Sequence, residues 1–421
     1  MKQKAKEIIK HPLIYGSGIV VIGGMAANFF NFLFNLFMSR NLPVEDYGTL
    51  ASIISLITFP SLIVSAVTPL IINFSGNYFA HGKLDMIRGL YLKISKFLLI
   101  IGILFFFSFL INISTISKFF HIENLSILII TDFMILLAFI GIVNVALLQA
   151  KLAFTFQVII NLLGSIVKLL VGATFIFLGY SVFGAVSAIF ISGIVVYLTS
   201  FIPLRFLFNK KLIAKSVIDT KELFAYGIPS AITLFGLTSL ISTDLILVKH
   251  YFDPNSAGIY AGMSLIGRVI FYISYPIGSV MFPLIVRKHS KNEDFGNTFK
   301  ISLLMVFLPS VALTLFYSIF PKFSILFFLK KEEYLAAVPY VGLFGAFISL
   351  YCLLFIIANF YLSIKETKIY IPILIGAILQ IVLISFYHQT YLEIIVISIL
   401  ITFLLVLGLL LYYPHATQKR L

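Results

Sequence analysis

Long apolar runs, each broken by a short polar stretch, fill the chain from end to end. About twelve of them reach the roughly 20 residues that a helix needs to cross a hydrocarbon core about 30 Å thick. They fall at approximately 13–38, 49–76, 94–115, 124–149, 155–179, 182–204, 224–248, 258–286, 301–321, 335–361, 369–388 and 391–413. Backbone groups in lipid must find partners within their own segment, so runs of this length predict helices. The weak alternation of a membrane β-strand is missing. The first run is too long for the apolar core of a cleaved signal and predicts a retained helix.

The pattern repeats. Arg40-Asn41-Leu42-Pro43-Val44-Glu45-Asp46-Tyr47-Gly48-Thr49-Leu50-Ala51 returns loosely as His250 to Ala261, with Gly48 over Gly258 and Ala51 over Ala261. Tyr15-Gly16 returns as Tyr226-Gly227, and Pro69-Leu70-Ile71 as Pro283-Leu284-Ile285. A shared offset near half the chain length is the signature of an internal duplication. Six spans per half is an even number, so both halves enter the membrane in the same orientation. The expectation is an all-α integral membrane protein of two parallel six-helix bundles, residues 1–204 and 224–421, related by a pseudo-twofold axis along the membrane normal. The polar stretch 205–223 is the expected cytoplasmic linker. Parallel repeats of this kind are a recognised transporter plan.

Charge adds orientation. The net charge of +14 suggests nucleic acid only until its placement is seen. Loops on the amino-terminal side hold 22 Lys and Arg, and the opposite loops hold 6. That bias places both termini in the cytoplasm and assigns the basic surface to topology and anionic lipid contact. Only 11% of residues are charged and 61% are hydrophobic, far from a soluble domain. No nucleic-acid partner is expected. Cys352 is the only cysteine, so no intramolecular disulfide is possible. Phenylalanine is abundant, with 45 residues, and tryptophan is absent; the excess suits lipid-facing and packing surface.

Ionisable groups inside spans cost about 2.5–3.5 kcal/mol each on insertion scales, so each needs a reason. Four stand out: Asp132, Lys168, Asp244 and Arg268. At about 100° per residue, Gln157, Asn161 and Lys168 fall on one face of the fifth span. Tyr260, Ser264, Arg268, Tyr272 and Tyr275 share a face of the eighth, and Asn28, Asn31 and Asn35 share one of the first. Such stripes face water or a partner helix, and the three can line one hydrophilic cavity between the halves. The competing reading is charge pairing, Asp132 with Lys168 and Asp244 with Arg268, which would only hold helices in register. Arg40 with Glu45 and Asp46 reads as a turn-stabilising set, and Gly48 and Gly258 as sites of tight turning or close packing.

At Arg40 to Gly48 the chain resembles the polysaccharide biosynthesis or oligosaccharide flippase family, a branch of the superfamily that also holds multidrug and toxin extrusion carriers. Tyr226-Gly227-Ile228-Pro229, Asp244 and Gly258-Ile259-Tyr260 extend the likeness into the second half. Val44 follows Pro43 where the family often has an acidic residue. The resemblance implies a flippase in the bacterial cytoplasmic membrane. It would move a polyprenyl-diphosphate-linked oligosaccharide outward by alternating access, for O-antigen, capsule or similar surface polysaccharide, alongside a polymerase and glycosyltransferases.

In that role Lys168 and Arg268 would bind the diphosphate, Arg through its fork of donors and Lys as a point charge. Asn28, Asn31, Asn35, Gln157, Asn161, Tyr260, Ser264, Tyr272 and Tyr275 would meet sugars or line the cavity. Asp132 and Asp244 would couple transport to H⁺ or Na⁺, or pair with the bases. No phosphate-binding loop of the G-x-x-x-x-G-K-[ST] type is present, and the seven histidines show no metal-ligand spacing. Neither a catalytic residue nor a cofactor is expected. A cation-coupled multidrug exporter is the nearest alternative, although the first span holds asparagines where such carriers often place an acid. A membrane glycosyltransferase or polymerase would need a sizeable outer loop. A flippase for the peptidoglycan lipid precursor usually resembles a chain of about fourteen spans.

Overall fold

An apolar run with no water to satisfy its amides closes its hydrogen bonds within itself, and the runs of this chain become helices accordingly. The computed structural model describes residues 12–65, 68–209, 221–290 and 293–418, and among these it contains no strand. In chain order the helices are α1 (Pro12–Asn41), α2 (Val44–Ser65), α3 (Thr68–Ala80), α4 (Leu84–Ile111), α5 (Ile113–Phe120), α6 (Leu125–Ala150), α7 (Phe154–Phe177) and α8 (Ser181–Ser200). They continue with α9 (Lys221–Tyr251), α10 (Pro254–Ser290), α11 (Gly296–Ile319), α12 (Pro321–Leu329), α13 (Val341–Ser363), α14 (Tyr370–Phe386) and α15 (Tyr391–Gln418).

Ten stretches among the described residues are long and apolar enough to cross a membrane, from Leu84–Ile111 to Tyr391–Tyr413. The protein is therefore a multi-span membrane protein. The other two expected spans, 13–38 and 49–76, fall on α1 and on α2 with α3, where residues 66 and 67 and several side chains lie outside the described residues. Of the expected linker, 210–220 lie outside them too, as do the terminal residues 1–11 and 419–421 with their bases.

Some ends differ from the sequence pattern. Helix α4 begins at Leu84, well before the expected 94, because Arg88 and Lys93 are good helix formers that carry the helix past its apolar part. The polar gaps after the third and ninth expected spans hold short helices, α5 and α12; Pro321 opens α12 at a position where its missing N–H costs nothing. Local signals set other starts. The Asn124 side chain accepts from the Ser126 N–H at 3.0 Å to cap α6, and the Asp253 carboxylate accepts from the Ser256 N–H at 3.0 Å to cap α10. Thr390 and Glu393 form a capping box on α15, the Glu393 N–H donating to the Thr390 hydroxyl at 3.3 Å while the Glu393 carboxylate accepts from the Thr390 N–H at 3.4 Å and from the Gln389 N–H at 2.7 Å.

The chain divides into two units. The first draws on Met1–Phe37, Pro60–Lys118 and Glu123–Gly227; in it α6 packs against α3, α4 and α8, and α7 against α8. The second draws on Met38–Phe59, Phe119–Ile122 and Ile228–Leu421, and α13 is its hub, packed against α10, α11 and α15. The last residues of α1 and most of α2 thus belong to the second unit.

Candidate functional site

In the first unit one residue of the α1 stripe meets one of the α7 stripe. The Lys168 ammonium donates to the Asn31 side-chain oxygen, and it stands 4.9 Å from the centre of the Phe34 ring, close enough for a cation–π attraction. Asn31 is held in turn, its backbone carbonyl accepting from the Asn35 amide at 2.9 Å. Asn28, Asn35 and Gln157 are half-buried, and Asn161 is exposed. Phe34, one turn along α1 from Asn31, was not singled out by the sequence pattern, since an apolar ring beside a polar stripe looks like ordinary packing.

Asp132 does not join them. Its side chain on α6 is fully buried, and neither carboxylate oxygen has a hydrogen-bond partner. Counting residues along neighbouring helices puts Asp132 and Lys168 at similar depth, but depth leaves the direction around each helix open. The structure gives the ammonium an amide and an aromatic face instead.

In the second unit Asp244 on α9 is buried and accepts from the Tyr260 hydroxyl at 2.7 Å. Its other oxygen has no partner. Arg268 is half-buried, and its Nε is buried without a hydrogen-bond partner. The guanidinium acts electrostatically on Asp244, Tyr47, Tyr272 and Tyr351. Phenols of three helices, α2, α10 and α13, thus lie within electrostatic range of Arg268. Ser264 is buried, Tyr272 half-buried, and Tyr275 exposed and stacked obliquely on Phe355 with ring centres 5.6 Å apart. Tyr47 and Tyr351 were missed by the sequence reading. Tyr47 had a signal, its place beside the duplicated glycine; Tyr351 had none, being one aromatic residue among many on an apolar helix.

The duplicated motifs touch within the second unit. A Cβ on Gly48 would lie 2.7 Å from the Gly258 backbone nitrogen, and one on Gly258 would run into the Val44 carbonyl. Neither glycine has a positive φ, so close approach of backbones is what requires them. Beside this contact two helix ends clasp each other. Arg40, in the last turn of α1, donates to the Phe328 and Phe327 carbonyls at 2.7 and 2.8 Å, at the end of α12. In return Lys331 donates to the Leu42 carbonyl just past α1, and the Tyr334 hydroxyl to the Ser39 carbonyl at 3.4 Å. Each cation satisfies carbonyls that a helix end leaves unpaired. Arg40 is thus a bridge to α12, a wider role than steadying its own turn.

Among the described residues no group of three or more His, Cys, Asp and Glu side chains is arranged to hold a metal ion.

A family model described as polysaccharide biosynthesis protein matches residues 37–339. The chain is similar to the solved inward-facing conformation of a multidrug resistance MATE family transporter of the MOP superfamily, with 13% identity over 94% of this chain and 96% of that one, at a TM-score of 0.75. It is likewise similar to the lipid II flippase MurJ in an inward closed conformation, with 16% identity over 92% and 86%, at a TM-score of 0.70. A third similar structure is the outward-facing conformation of a multidrug resistance MATE family transporter, with 15% identity over 96% of each chain and a TM-score of 0.65. At these identities the likeness is one of fold. Among curated protein sequences none matches significantly. With most of its length matched and its fold shared with MATE transporters and MurJ, the chain belongs to the polysaccharide biosynthesis protein family.

Proposed function

We propose that the protein is a flippase that carries a polyprenyl-diphosphate-linked oligosaccharide across the bacterial cytoplasmic membrane by alternating access, ahead of O-antigen, capsule or similar polysaccharide assembly. The polymerase and glycosyltransferases of that assembly would be its working partners. The observation that carries this reading is the state of Lys168. An ammonium inside a membrane span is costly, and its neighbour of opposite charge in sequence depth, Asp132, does not neutralise it. A neutral amide and an aromatic ring hold it in place, and neither carries a charge that would cancel its own. A cation kept ready in this way suits an anionic ligand, and Arg268 with its unpartnered Nε is a second donor of the same kind. Tyr272, half-buried, and Tyr275, exposed, on the same helix as Arg268 offer the flat amphipathic faces on which sugars stack.

A second reading has its own observation. Asp132 is buried with both oxygens unpartnered, and Asp244 with one. Buried carboxyls without partners are natural seats for H⁺ or Na⁺, as a cation-coupled exporter would need and as an ion-driven flippase would use equally. The discriminating experiment places the purified protein in vesicles and follows a fluorescent polyprenyl-diphosphate oligosaccharide and a fluorescent organic cation in parallel. Movement of the lipid-linked sugar alone supports the flippase. Uptake of the organic cation alone replaces it with the exporter.

A further inference from the structure

On the second unit a cavity of about 300 Å³ opens between the start of α14 and the last turns of α15. Leu404, Leu405 and Leu409 wall it on α15 and Pro372 on α14, and Lys368 stands exposed at its edge. Gly408 lies in this lining, and a Cβ built there would meet nothing within 4 Å. Both helices belong to membrane-crossing stretches, Thr367–Phe386 and Tyr391–Tyr413. Ile371, Leu400, Phe403 and Leu404 around the slot are exposed apolar residues, which suits a surface that meets hydrocarbon, and Lys368 stands at the end of the span. The 365–368 connection carries Lys365 and Lys368 against Glu366, a net positive rim on the side that the loop charges mark as cytoplasmic.

We infer that this groove binds an anionic phospholipid of the cytoplasmic-side leaflet, an acyl chain lying in the slot and the phosphate resting on Lys368. The chemistry of the groove selects that occupant. An apolar wall takes a hydrocarbon chain, and apart from Lys368 the Tyr412 hydroxyl is the one polar side-chain group in this lining. A base at headgroup level takes a phosphate, and basic pockets between helices on this side of a membrane are suited to anionic headgroups. An amphiphile with one flexible chain and one negative head meets both conditions. The substrate's polyprenyl chain meets the first alone unless its diphosphate also reaches Lys368, and it is the competing occupant. The inference does not depend on the flippase reading.

The absence of tryptophan makes the test local. Phe403, next to the groove and 47% exposed, is changed to Trp as the one indole in the full-length protein; Phe97→Trp, at a 60% exposed site on α4, serves as control. Each is placed in phosphatidylcholine membranes in which either phosphatidylglycerol or phosphatidylcholine carries brominated chains. Brominated phosphatidylglycerol should quench the indole of Phe403→Trp as though enriched about fivefold over its bulk fraction, the factor expected of one lysine near an anionic headgroup. At position 97 it should show no enrichment. Adding Lys368→Gln should bring position 403 to the control value, Lys368→Arg should preserve the enrichment, and Gly408→Leu should abolish it by filling the slot. Equal quenching at the two positions, or enrichment that survives Lys368→Gln, overturns the site. So does relief of quenching by polyprenyl phosphate at fractions where unbrominated phosphatidylglycerol gives none, which would assign the groove to the substrate's chain.

Discussion

A lysine and an aspartate in neighbouring spans invite the assumption of an ion pair, and here the two residues take separate paths. Lys168 binds Asn31 and faces Phe34, while Asp132 is buried with unpartnered oxygens. Exchanging the two, Asp132→Lys with Lys168→Asp, should therefore fail to rescue the surface polysaccharide lost by either neutralisation. Rescue at normal protein level would show that they pair. Asn31→Ala should lower export while leaving the protein in the membrane, because the ammonium loses the oxygen that orients it; Asn31→Gln, with the same oxygen on a longer arm, should recover part of the activity. The sequence made Asn31 and Lys168 legible as members of two stripes, since helical spacing fixes which residues share a face. It did not reveal Phe34 or Tyr351, because an aromatic partner contributed by another helix has no spacing of its own to betray it.

Helices were the most legible elements, for an apolar run of this length has no other form available in lipid. Their ends were less so. Arg88 and Lys93 look like loop residues by charge but continue α4 as helix formers, and α12 hides in a gap that reads as a turn. The paired glycines were legible through the duplication, though only the structure shows that Gly48 and Gly258 meet. Gly48→Ala and Gly258→Ala should each destabilise by roughly 1–3 kcal/mol through overpacking, with Gly258→Ala the worse because its Cβ would press on the Val44 carbonyl. Gly24→Ala, where nothing lies within 4 Å, should be neutral or slightly stabilising in the same thermal unfolding measurement. The reciprocal clasp at α1 and α12 makes a parallel claim. Arg40→Lys should lower thermal stability nearly as far as Arg40→Ala, because one ammonium cannot reproduce the guanidinium's two bonds to Phe327 and Phe328. Full stability in Arg40→Lys would reduce the clasp to a matter of charge.

For the whole molecule, the family match over 37–339 and the shared fold fix the kind of protein, and the intramembrane bases carry the reading of its substrate. Composition and periodicity reach a duplicated multi-span carrier and stop there, because neither encodes what a cavity holds. If transport is ion-coupled, collapsing the proton or sodium gradient should slow flipping, and Asp132→Asn should remove that sensitivity; a rate indifferent to both gradients would mean facilitated exchange. The most direct test of the central claim is equilibrium binding of a short-chain polyprenyl diphosphate to the purified protein, to Lys168→Gln and to Arg268→Gln. Each substitution removes a charge-assisted contact and should weaken binding by about 10- to 100-fold, with a smaller loss for the monophosphate. Unchanged affinity in both variants, with the protein folded, would contradict the account.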